Sequence, residues 1–151
     1  MRTTHSSSVF VAVLLGGLIA GTIDIGAAAL INSASPYVIM QAIAGGVLGK
    51  DSFHEGLPAA ALGVFAQWLM SLLIAWIFVF STRWLPGLKR WWLPAGLAYG
   101  IPVFFVMNYV VVPLSALKHT PHFTATRFAE NMLAMMLFGV IVAFFTRRAP
   151  L

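Results

Sequence analysis

A carboxylate in a stretch built for lipid is the residue with the most obvious chemistry. Asp24 stands in GGLIAGTIDIGAAALIN, residues 16–32, within the first long apolar run. A charged side chain near mid-membrane costs roughly 2.5–3.5 kcal/mol on insertion scales, so a chain accepts it most easily when it points into protein. Two chemistries follow. Asp24 is either a proton-linked site, or a structural acid that accepts a hydrogen bond from another helix. Gly17, Gly21, Asp24 and Ala28 recur at spacings of 4, 3 and 4, a single stripe on a helix. The acid therefore shares a face with a GxxxG pair, which allows close approach of another helix. Five further polar residues lie in or beside apolar runs: Gln41, Gln67, Asn108, Glu130 and Asn131. Asn108 is the expected partner of the carboxyl, with Gln41 or the polar start of the fourth span as alternatives. Gln67 is expected to make an interhelical hydrogen bond worth about 1 kcal/mol or less.

Metal chemistry is the next candidate. His54 lies beside Asp51 and Glu55, and His119 and His122 form an H-x-x-H pair. Imidazole and carboxylate suit zinc or a similar ion. Pro121 separates the two later histidines in a polar loop, so no helical face holds them together. The bland reading, polar loop residues at headgroup level, is preferred, and no metal or cofactor is expected. Nor is an enzyme. The chain lacks G-x-S-x-G, H-E-x-x-H, a P-loop and a glycine-rich dinucleotide turn.

Composition defines the object that must hold these residues. Of 151 residues, 60% are hydrophobic and 9% charged, with a mean hydropathy of +0.92. A soluble domain has about 25% charged residues. There is no cysteine, hence neither a disulfide framework nor a Cys metal site. The net charge of +5 does not point to nucleic acid, because the basic residues sit at the ends of apolar runs rather than in one patch.

Four spans are expected, over about 9–31, 58–80, 93–114 and 128–146. A cleavable signal peptide ending near Ala27-Ala28-Ala29 competes for the first run, but that run and its glycine stripe continue past Asp24. Ser35-Pro36 opens a short apolar helix over about 36–49, too short to span and suited to lie in the interface or re-enter. It carries a second GxxxG, Gly45 to Gly49, and the third span carries another, Gly96 to Gly100. Pro102 is expected to kink the third span and Pro113 to end it. Arg147-Arg148 lies next to the end of the sequence, so no soluble domain is expected to follow.

Four spans put both termini on one side. That side holds Arg2, Arg83, Lys89, Arg90, Arg147 and Arg148, against Lys50, Lys118 and Arg127 opposite. The positive-inside rule then places both termini in the cytoplasm. Asp24 and Asn108 come out at similar depth, about 22 Å from the inner ends of their spans at the helical rise. All four acids fall in the outer half or outer loops.

The runs GLIAGTIDIGAAALI, QAIAGGVLG and MNYVVVPLS resemble those of small, largely uncharacterised bacterial inner-membrane proteins of the YagU-like kind, over nearly the whole chain from Gly16 to Arg148. The resemblance implies a four-helix inner-membrane protein and, through some relatives, a role in acid or envelope stress. It transfers no catalytic residue. The family pattern includes a histidine in the second span and another in the fourth. The corresponding positions here are Gln67 and, roughly, Ala134, so such a pair is absent from this chain.

The expected fold is thus an all-α integral membrane four-helix bundle, one domain over 1–151, with a short interfacial or re-entrant helix between spans one and two. The expected function is non-enzymatic: envelope or acid-stress homeostasis through self-assembly (a homo-oligomer) or a membrane partner, in contact with the lipid bilayer and without nucleic acid. The alternative is a small proton-linked transporter, or a subunit of one, using Asp24.

Overall fold

A computed structural model describes residues 2–54, 56–115 and 124–147. The described residues are helical, with no strand among them. α1 covers Arg2–Ile31 and α2 Pro36–Leu48. A 3-10 helix, Gly49–His54, leads to α3, Leu57–Trp84. A single turn, α4 (Gly87–Arg90), precedes α5, Trp92–Val106. A π-turn, Met107–Val111, and α6, Val112–Leu114, complete the third apolar run, and α7 is Ala125–Thr146. Four helical runs are long and apolar enough to cross a membrane: Val9–Ile31, Leu57–Trp84, Trp92–Leu114 and Ala125–Thr146. The chain is a multi-pass helical membrane protein.

Local chemistry explains where the boundaries fall. The Ser35 hydroxyl accepts from the Val38 amide at 3.3 Å, and Pro36 follows as the first helical residue of α2. The second span runs four residues beyond the expected end at 80. Ser81 and Thr82 bond back to the Ile77 and Val79 carbonyls at 2.7 and 2.6 Å, and the helix stops before Pro86, which disfavours helical geometry at Leu85. The fourth span starts three residues early, at Ala125, because Thr124 caps it by accepting from the Arg127 amide at 3.2 Å.

Backbone shape turns on one glycine and two prolines. Gly49 is a helix terminator. Its φ of 73° ends α2 in the left-handed region that favours glycine, while Gly45 is buried. In the third span Pro102 lies inside α5, and the hydrogen-bonding pattern changes five residues later, in the π-turn. There Val112 donates to Met107, five residues back, one residue before Pro113, which has no N–H to donate. The helix passes Pro113 and ends at Leu114.

The helices pack as a row rather than a closed ring. α7 lies against α5 and α1, α1 against α3, and α3 against the short α2. The buried centre is Ala20, Ala75, Phe78, Phe138, Val142 and Ala143. Small residues set the spacing. Cβ atoms built at Gly96 and Gly100 would lie 2.7 Å from the Gly139 carbonyl oxygen and 2.5 Å from that of Met135. The Gly96–Gly100 pair therefore joins span three to span four. Gly63 abuts the Met40 carbonyl of α2 in the same manner. By contrast, nothing lies within 4 Å of a Cβ at Gly26.

Alanine substitution should separate these classes. Gly96→Ala and Gly100→Ala meet backbone, which cannot turn aside, and should lower the unfolding temperature in detergent. Gly26→Ala should leave it unchanged or raise stability by up to about 1 kcal/mol, through helix propensity. Thermal unfolding of the purified variants, followed by circular dichroism, measures both.

Candidate functional site

The site is built where α1 meets α3. Gly17 and Gly21 provide the approach: a Cβ at Gly17 would lie 3.0 Å from the Leu72 Cα, and one at Gly21 would strike the Ser71 hydroxyl. The stripe that carries these glycines continues to Asp24, so the acid reaches α3 as well. Asp24 Oδ2 accepts from Gln67 Nε2 at 3.1 Å. The same amide nitrogen lies 3.3 Å from the Gly21 carbonyl oxygen. One NH2 group thus holds two acceptors one turn apart on α1. Beside it, Trp68 Nε1 donates to Thr22 Oγ1 at 3.1 Å, and that hydroxyl donates to the Leu18 carbonyl at 2.7 Å. Adjacent residues of α3 therefore donate three hydrogen bonds into residues 21–24.

Asp24 is partly exposed. It borders a narrow crevice between α1 and α7, lined also by Ala20, Ile23, Ala134 and Phe138, with no room for a water molecule. Gln67 and Ala134 thus both flank Asp24.

The other expected members of a polar cluster are not brought to the acid. Asn108 was the preferred partner; instead its Nδ2 donates to the Phe104 carbonyl of its own helix at 2.9 Å. Asn108 lies in the π-turn, one turn beyond that carbonyl, so the local acceptor is nearer than any on α1. Asn131 Nδ2 similarly donates to the Arg127 carbonyl at 2.8 Å, and Glu130 is exposed. Gln41 is buried in α2, outside the set lining the crevice. At this end of the bundle, Arg127 Nη1 donates to Asn32 Oδ1 at 3.0 Å, tying the start of α7 to the end of α1.

His54 closes the 3-10 helix and is exposed. Glu55, His119 and His122 lie outside the described residues. Among the described residues no group of three or more His, Cys, Asp or Glu could hold a metal ion.

Sequence reasoning missed Thr22, Trp68, Ser71 and Tyr99. Thr22 and Trp68 are immediate neighbours of residues already singled out, and a polar pair on each of two helices was the available signal. Tyr99 donates to the Ile74 carbonyl at 2.8 Å and packs on Phe78 at 5.0 Å, bridging α5 to α3 where the two helices otherwise have little contact. At the opposite end of the bundle from Asn32 and Arg127, the Arg147 guanidinium lies 5.1 Å from the Trp92 ring centroid and 4.3 Å from that of Phe144. Partial burial there holds the Lys89 amine below the usual lysine value.

No protein-family model matches the chain, and comparison with curated proteins and with solved structures finds no match either.

The pair Asp24–Gln67 makes a direct test. Gln67→Leu removes the donor and leaves the carboxylate unpaired, which should cost about 1–3 kcal/mol. Asp24→Asn keeps an acceptor oxygen and should be neutral or mildly stabilising. Asp24→Leu combined with Gln67→Leu should be less damaging than the sum of the two single changes, a coupling that a double-mutant cycle of unfolding free energies measures.

Proposed function

We propose that this is a non-enzymatic protein of a bacterial inner membrane, with both termini in the cytoplasm, that serves envelope or acid-stress homeostasis by assembling with itself or with a membrane partner. The observation that carries this reading is the state of Asp24. Its carboxylate is engaged by an amide that simultaneously clamps the Gly21 carbonyl, and the crevice beside it excludes water. An acid used in this way fixes one helix against another. Transport of protons would need a hydrated route to and from the carboxylate. The likeness to YagU-like proteins supports the envelope and acid-stress context, and the six-to-three distribution of basic residues supports the orientation. Large outward-facing apolar side chains such as Leu133, 65% exposed, leave ample surface for lipid or a neighbouring membrane protein.

Reconstitution tests the scaffold reading against the proton-linked one. In vesicles loaded with a pH-sensitive dye, an imposed pH gradient should collapse no faster with the protein than without it, and Asp24→Asn should change nothing. Protein-dependent proton entry that Asp24→Asn abolishes would overturn the scaffold role. A reporter fused after Leu151 should be active as a cytoplasmic reporter and inactive as a periplasmic one. The reverse result would invert the orientation.

A further inference from the structure

The close contacts of α1 with α3 cover only one flank of the pair. On the other flank the two helices leave a cleft of about 850 Å³, walled by Phe10, Val13 and Leu14 of α1 and by Leu69, Leu73 and Trp76 of α3. Ala66 lines it as well. We propose that this cleft seats an acyl chain of an anionic phospholipid whose phosphate is held at Arg83.

The choice of a lipid chain over another helix rests on the walls. Helix association within a membrane favours small residues that let backbones approach. Six glycines sit at internal contacts: Gly17 and Gly21 against α3, Gly63 against α2, and Gly96, Gly100 and Gly139 between α5 and α7. The cleft presents leucine, methionine, phenylalanine and tryptophan, with Ala66 the small exception. Such walls hold off a second backbone about 10–12 Å across with its side chains and admit a flexible hydrocarbon chain.

The choice of an anionic headgroup rests on where the α3 wall leads. Leu69, Leu73, Trp76, Phe80 and Arg83 follow at spacings of 4, 3, 4 and 3, so they share one helix face. Trp76 stacks on Phe80 with ring centroids 5.4 Å apart, and Phe80 meets Trp84 edge-on at 6.4 Å. This aromatic ladder continues the apolar wall from the cleft to the helix end. Arg83 stands seven residues beyond Trp76, about 10 Å along the axis, and is exposed. Lys89, Arg90 and Arg147 occupy the same end of the bundle. No acid lies there among the described residues. Asp51 is in the 3-10 helix that precedes α3, Glu130 near the start of α7, and Asp24 in the part of α1 nearer the other end. Arg83 offers a forked donor suited to phosphate, about two helical turns beyond the apolar seat and with no competing carboxylate among the described residues at that end.

The purified full-length chain in detergent, titrated with phosphatidylglycerol or with phosphatidylcholine carrying the same acyl chains, tests this by native mass spectrometry. The wild type should retain phosphatidylglycerol roughly tenfold more strongly, because in phosphatidylcholine the choline ammonium offsets the phosphate charge that Arg83 meets. Arg83→Gln, at an exposed site, should abolish the preference by lowering phosphatidylglycerol retention further than phosphatidylcholine retention. Ala66→Phe, which fills the cleft, should weaken retention of both lipids. Inorganic phosphate should not displace the bound lipid. Equal retention of both lipids by the wild type, an unchanged preference in Arg83→Gln, or full displacement by inorganic phosphate would each overturn the proposal. Undiminished retention by folded Ala66→Phe would also overturn it.

Discussion

The structure depends on how closely α1 can approach α3. Gly17 and Gly21 remove the side chains that would hold the helices apart, and Ser71 occupies the space opposite Gly21. The approach then brings the Gln67 amide within reach of both the Gly21 carbonyl and the Asp24 carboxylate. Neither feature works alone. Without the glycines the amide could not reach α1, and without the amide an acid would be left beside an apolar crevice. Low dielectric around the pair makes its satisfaction matter more than it would in water.

The same logic orders the rest of the row. α5 and α7 meet through glycines at Gly96, Gly100 and Gly139, so this contact is set by backbone rather than by side-chain volume. α1 lies between α7 and α3, and α2 closes the far side of α3 through Gly63. Where small residues are missing, the helices part. α3 and α5 are bridged by Tyr99 and are otherwise divided by an apolar cleft of about 380 Å³, to which Pro102, Met107 and Val111 contribute. Tight seams and open clefts thus alternate according to side-chain size.

The architecture was legible because long apolar runs and helix-start chemistry are local signals. Ser35-Pro36 marked α2 through the cap itself, and the first run, 9–31, coincides with the first apolar span. Gly17 and Gly21 were recognisable as packing glycines, but which helix they face depends on the order of the bundle, which spacing along one chain does not encode. Gly49 shows the limit of the motif. The GxxxG spacing was present, yet its second glycine is a helix terminator. Gln67 makes the interhelical bond expected of it, but the choice of Asn108 as the carboxyl's partner, with Gln67 outside the alternatives, failed for a similar reason. Both were recognisable as polar groups in spans, and depth alone favoured Asn108. Depth ignores the neighbouring carbonyl in Asn108's own helix, which takes its amide first.

The α1–α3 contact is most directly tested by cross-linking, because the natural chain has no cysteine to confuse the result. Cysteines introduced as Asp24→Cys with Gln67→Cys, which leaves Gly17, Gly21 and Ser71 in place, should be joined within one chain by a short thiol-specific bifunctional linker in native membranes and so escape later labelling by a maleimide mass tag. Asp24→Cys with Asn108→Cys should stay open to the tag. Linkage of the second pair but not of the first would contradict the arrangement of α1 on α3.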